Sequence, residues 1–136
     1  MSRAGYSDDA ENIAMWRGQV ASAIRGKRGQ AFLREMLEAL DAMPEKLLIA
    51  EDLRRDGNVC AIGTVGAKRG VDLEALDPYD YEALGRTFGI AYQLVCEIEY
   101  VNDERWFLAG QYIPNPTPEQ RWQIVRDWVE EQIRRD

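Results

Sequence analysis

Apolar residues recur along most of the chain at spacings of three and four, the period of a helix with one buried face. The clearest stripe runs Phe32, Leu33, Met36, Leu37, Leu40 and Met43, with Arg34, Glu35, Glu38 and Asp41 facing away and Pro44 as the stop. Arg34 and Glu38 stand four apart and are expected to pair. Ile13, Trp16, Val20 and Ile24 mark an earlier helix, for which Ser7 reads as N-cap and Asp8 and Asp9 as first-turn acids. Asp77-Pro78 reads as cap and first residue of another, with Tyr81, Leu84 and Phe88 on its buried side and Gly89 at its end. From Ile90 to Val101 the period places Ala91, Leu94, Val95, Ile98 and Val101 inward, Cys96 near that face, and Glu97 and Glu99 in solvent. A capping box, Thr117-Pro118-Glu119-Gln120, opens the last helix, whose inner face is Trp122, Val125, Trp128, Val129 and Ile133.

Between these stripes the pattern changes twice. Asp56-Gly57 is a turn signal followed by the small-residue stretch Asn58 to Gly70, in which Val59, Ile62 and Val65 keep a helical period. An interior glycine costs about 1 kcal/mol of helix stability relative to alanine, so Gly63 and Gly66 predict close approach by neighbouring elements. Gly70 reads as the stop of this helix, with Lys68 and Arg69 at the negative end of its dipole. The short run Leu47-Leu48-Ile49-Ala50 leaves a small hairpin pairing residues near 47–54 with 58–60, an irregular segment and a helical turn all open. The second change is the stretch from Arg105 to Pro116, read as a long loop closed by Pro114 and Pro116.

These elements predict a mostly α fold: a single-domain bundle of five or six helices over residues 7–136, with at most a minor β-hairpin near 47–60, preceded by a loose N-terminus over 1–6. A chain of 136 residues supports one core of useful size. With 46% hydrophobic and 30% charged residues it has a globular rather than a disordered composition. Two cysteines, Cys60 and Cys96, in apolar helical contexts suggest a reducing compartment rather than a disulfide framework. The polar, acidic N-terminus carries no apolar signal segment, and no apolar run approaches the roughly 20 residues of a membrane span. The expectation is a cytoplasmic protein that does not engage a membrane. A net charge of −7 disfavours nucleic acid, where affinity comes from neutralising phosphates, and leaves basic protein surfaces open.

Candidate chemistry is sparse. Cys60 stands at the start of the small-residue helix, where the dipole can stabilise a thiolate, with Asp103 or Glu104 as a conceivable base. The competing reading is a buried structural thiol, and the absence of any histidine favours it, because the usual Cys–His pair cannot form. Gly26-Lys27-Arg28-Gly29 could hold a phosphate, yet lacks the spacing of a nucleotide-binding loop and reads as an exposed linker between helices. No cofactor is therefore expected. Asp103, Glu104 and Asp127 lack the spacing of a calcium loop, so no metal is expected either. The loop from Arg105 to Pro116 gathers Arg105, Trp106, Phe107 and Tyr112, residue types that dominate protein–protein contacts. It reads either as a partner-binding surface or as a lid on the core.

Val59-Cys60-Ala61-Ile62-Gly63, Arg69-Gly70-Val71-Asp72 and Asn102-Asp103-Glu104 together resemble a set of small bacterial and bacteriophage proteins that carry a C-A-[LI]-G segment and a downstream N-D pair and have no established function. The similarity covers about Gly29 to Ile133. Where some of those proteins carry a histidine after the N-D pair, this chain has Arg105-Trp106. The resemblance, the acidity and the aromatic loop together lead to one expectation: a non-enzymatic interaction module, phage- or prophage-encoded, that regulates or inhibits a host protein. The alternative is a cysteine-dependent enzyme using Cys60.

Overall fold

In a computed structural model that describes residues 10–134, six helices surround one core. They are α1 (Ala10–Arg25), α2 (Lys27–Ala42), α3 (Ala61–Arg69), α4 (Tyr81–Phe88), α5 (Tyr92–Asp103) and α6 (Pro118–Gln132). The expected Ser7 cap and the loose segment 1–6 lie outside the described residues. The fold is mostly α, as the periodicity predicts, but it carries two hairpins where at most one was expected. Strands β1 (Arg54–Arg55) and β2 (Asn58–Val59) pair antiparallel, as do β3 (Phe107–Leu108) and β4 (Gln111–Tyr112).

Helix α5 is the hub, touching α1, α3, α4 and α6. That placement corrects the expectation for Glu97 and Glu99. With neighbours on most sides, α5 buries every residue from Leu94 to Glu99, so period alone does not send these carboxylates to solvent. Glu97 meets Arg17 Nη1 of α1 at 2.9 Å. Helix α2 packs on α1, α3 and α6. Leu33, Met36 and Leu40 are fully buried in it, whereas Leu37 and Met43 lie at the margin of the core. Its charges look outward to other elements rather than along the helix: Arg34 donates to the Arg134 carbonyl and Glu38 takes Lys68, so the expected Arg34–Glu38 pair is replaced. Helix α1 is peripheral. Val20 is fully buried in it, and Ile13 of the expected inner face is 40% exposed.

Two boundaries move for clear reasons. Gly26-Lys27-Arg28-Gly29 is not a free linker: Gly26 is the junction, α2 begins at Lys27, and Gly29 is buried where its first turn presses on the end of α1. A side chain at Gly29 would collide with the Ala23 carbonyl oxygen. Asp77-Pro78 makes a turn instead of starting α4. The Asp77 carboxylate accepts from Tyr79 N, and Asp80, whose carboxylate accepts from Ala83 N, is the cap. The box at the start of α6 forms in full, with Thr117 N donating to Gln120 Oε1 and Gln120 N to Thr117 Oγ1.

Candidate functional site

The sequence offers two candidate regions, and the fold separates their characters. The first surrounds the start of α3. Asp56 and Gly57, at φ 54° and 81°, form the two-residue turn between β1 and β2, the geometry that suits the twist of a short hairpin. The hairpin is stitched inward: Ile49 N donates to Val59 O and Cys60 N to Leu53 O, at 3.0 and 3.1 Å. Val59 thus belongs to a strand, and α3 starts at Ala61. Gly63 in the next turn lies so close to the hairpin that an added Cβ would run into the Leu53 carbonyl oxygen. Close approach is what this glycine provides.

Cys60 is the N-cap of α3, with its sulfur accepting from Gly63 N at 3.4 Å, and it is 1% exposed. Asn102, near the end of α5, reaches across to it. Its side-chain oxygen accepts from Ala61 N at 3.0 Å, and its amide nitrogen donates to Ile49 O at 2.8 Å and to Asp103 Oδ1 at 2.7 Å. Asp103 Oδ1 also accepts from Glu51 N, and the Asn102 carbonyl accepts from Arg121 Nε at 2.8 Å. The C-A-I-G segment and the N-D pair, far apart in sequence, therefore meet through one buried amide. Buried backbone groups demand partners, and Asn102 supplies them to the first N–H of α3 and to the segment before β1. Glu104, the remaining candidate base, is exposed at the C-cap of α5. Cys96, buried on α5, has its thiol pushed up to about 12 by desolvation and then by the nearby Glu99 charge, which keeps it protonated at neutral pH. In the sequence, the available signal of this role is a polar residue at the end of an otherwise apolar helical face.

The second region is the β3–β4 hairpin. Ala109 and Gly110, at φ 52° and 79°, make its turn, and Ile113 N donates to Trp106 O at 2.8 Å below the strands. Phe107 stands opposite Tyr112, with ring centroids 5.7 Å apart and edge-to-face. Both rings are in solvent, 51% and 59% exposed. Trp106 differs: it is half-buried, and its indole N–H donates to the Asp103 carbonyl at 3.1 Å, covering the end of α5. Of the four candidate binding residues, Trp106 thus turns inward, Arg105 is half-buried, and Phe107 and Tyr112 turn out. Between the hairpin and α6 lies a cleft of about 380 Å³. Phe107, Ile124 and Trp128 form its apolar part, Arg105 one wall, and Asp127, Glu130 and Glu131 the other.

Among the described residues no group of three or more Cys, Asp or Glu could hold a metal ion, and no helix is long and apolar enough to cross a membrane. No family model, curated protein or solved structure matches the chain.

Proposed function

We propose that this chain is a non-enzymatic, acidic helical module that binds another protein through the β3–β4 hairpin, as a phage- or prophage-encoded cytoplasmic regulator or inhibitor of a host protein. The observation that carries the reading is the exposed Phe107–Tyr112 pair, two large rings held in solvent by a short turn. Exposed aromatics on a preorganised hairpin offer contact area at low entropic cost, and such residues dominate binding hot spots. The enzyme reading has a thiol at a helix start in its favour, and against it a residue that is buried and whose sulfur is occupied in capping.

The test is capture from host lysate by wild type and by Phe107→Ala/Tyr112→Ala. Because both rings are largely in solvent, the double variant is expected to melt within about 2 °C of wild type, as surface changes usually do. Capture of the partner should fall by about 30-fold or more, the equivalent of 2 kcal/mol on the hot-spot scale. Undiminished capture by the folded double variant would remove the hairpin from the binding face.

A further inference from the structure

We infer that the cleft between the β3–β4 hairpin and α6 receives an arginine or lysine side chain from a basic segment of the protein partner. The inference rests on the hairpin being the binding face and gives the partner its chemistry. Asp127, Glu130 and Glu131 fall at i, i+3 and i+4 on α6, so all three reach the same side of the helix and line one wall of the cleft. Arg105 is the one cation in that lining, which leaves an excess of negative charge. Glu130 is already engaged by Arg126 at 2.6 Å, and Asp127 accepts from the neutral Gln123 amide. Among the described residues neither Asp127 nor Glu131 has an ion-pair partner.

The apolar part of the cleft complements the rest of such a side chain. Lysine and arginine lay their methylene stems along apolar surface while the head seeks charge, and Phe107, 51% exposed, supplies that surface above the buried Ile124 and Trp128. Other occupants fit worse. An acidic segment would meet three carboxylates, and an apolar one would strip water from them without replacing it. The chain's net charge of −7 also draws a basic surface in from a distance.

The experiment is an amide-and-indole NMR titration of the full chain with acetyl-Gly-Arg-Arg-Gly-amide, beside the same peptide with two glutamates. Saturable shifts at Gly110, the Trp128 indole and Glu131 with the arginine peptide alone are expected, weakening as salt screens the charges. Asp127→Asn/Glu131→Gln changes exposed or half-exposed groups, should keep the fold by circular dichroism, and should weaken this binding about tenfold. Shifts located elsewhere, or an equal response to the glutamate peptide, would overturn the inference. Lysate capture separates it from the reading beneath it. Capture lost in Phe107→Ala/Tyr112→Ala but intact in the charge variant overturns the cleft assignment and keeps the hairpin. Arginine peptide bound in the cleft, with capture untouched by the hairpin variant, overturns the hairpin reading and keeps the cleft as a cation site.

Discussion

The two hairpins have the same plan and opposite surroundings. Each has two-residue strands, a two-residue turn at positive φ, and a place beside a helix terminus. The β1–β2 hairpin carries Arg54, Arg55 and Asn58 outward and is bonded into the core by Leu53, Ile49 and the start of α3. The β3–β4 hairpin carries Phe107 and Tyr112 outward, and the ladder is extended by one bond, Ile113 to Trp106. An isolated two-stranded hairpin is marginal in water, so each must borrow stability from its neighbours. The first borrows it through buried hydrogen bonds and shows solvent a polar surface. The second leans on α6 and shows solvent its rings. The difference says which hairpin builds the molecule and which is available to meet another.

The sharpest way to break that contrast is at Asn102, the buried amide that ties the first hairpin's surroundings to α5. Asn102→Ala leaves Ala61 N–H and the Ile49 carbonyl without the partner each now has. Each orphaned buried group costs about 1–3 kcal/mol, so a total loss of about 3–5 kcal/mol is expected from chemical denaturation. Asn102→Asp should not recover it, since the acceptor for Ala61 N remains but the donor to Ile49 is lost and a buried charge is set beside Asp103. Loss of under 1 kcal/mol in Asn102→Ala would mean that water replaces the amide and that this junction is not sealed.

A smaller effect is expected at Gly63. Its replacement by alanine gains about 1 kcal/mol of helix propensity, but the new methyl meets the Leu53 carbonyl and lies 2.9 Å from Val59 Cβ. The obstacle is backbone, and the same carbonyl accepts the Cys60 N–H that joins hairpin to helix. A net destabilisation of about 1–3 kcal/mol is expected for such overpacking. Capture of a partner per folded molecule should be unaffected, because the groups the new methyl meets, Leu53 and Val59, belong to the first hairpin and its approach. Reduced capture at full folding would show that the two hairpins are coupled.

What the sequence made legible follows the strength of its local signals. The α2 stripe, the α6 capping box and the Gly70 and Gly89 stops are short-range chemistry and could be read directly. The burial of Glu97 and Glu99 is not local: it comes from the four helices around α5, which no period reveals. The first hairpin was at least visible as one of three readings, because Asp56-Gly57 is a strong turn pair. The second reads as a loop because its turn begins with Ala109, a residue that rarely takes φ near 52°. Aromatic content points to Arg105, Trp106, Phe107 and Tyr112 alike, and separates neither the inward Trp106 from the outward pair nor α6 as the neighbour of the hairpin. The cleft acids Glu130 and Glu131 look in sequence like any solvated helical face, and only the hairpin's position sets them opposite Phe107.

That same alanine gives the mildest and most direct test of the comparison. A left-handed conformation costs a residue with a Cβ about 1–2 kcal/mol, and asparagine escapes part of that cost through local hydrogen bonding. Ala109→Asn converts the second turn to Asn-Gly, the pair most favoured in two-residue hairpins, without the flexibility a second glycine would add to the unfolded chain. A gain of about 0.5 kcal/mol is expected, or a rise of about 1–3 °C in melting temperature for a domain of this size. The reciprocal change, Asp56→Ala, should lower the melting temperature by a similar amount, giving the first hairpin the second's handicap. If turn chemistry is what separates them locally, the two shifts will be nearly equal and opposite. Ala109 is exposed and also borders the cleft. A loss of stability in Ala109→Asn would therefore mean that the alanine methyl packs against something the asparagine displaces, and that the turn is held by its contact with α6 rather than by its own conformation.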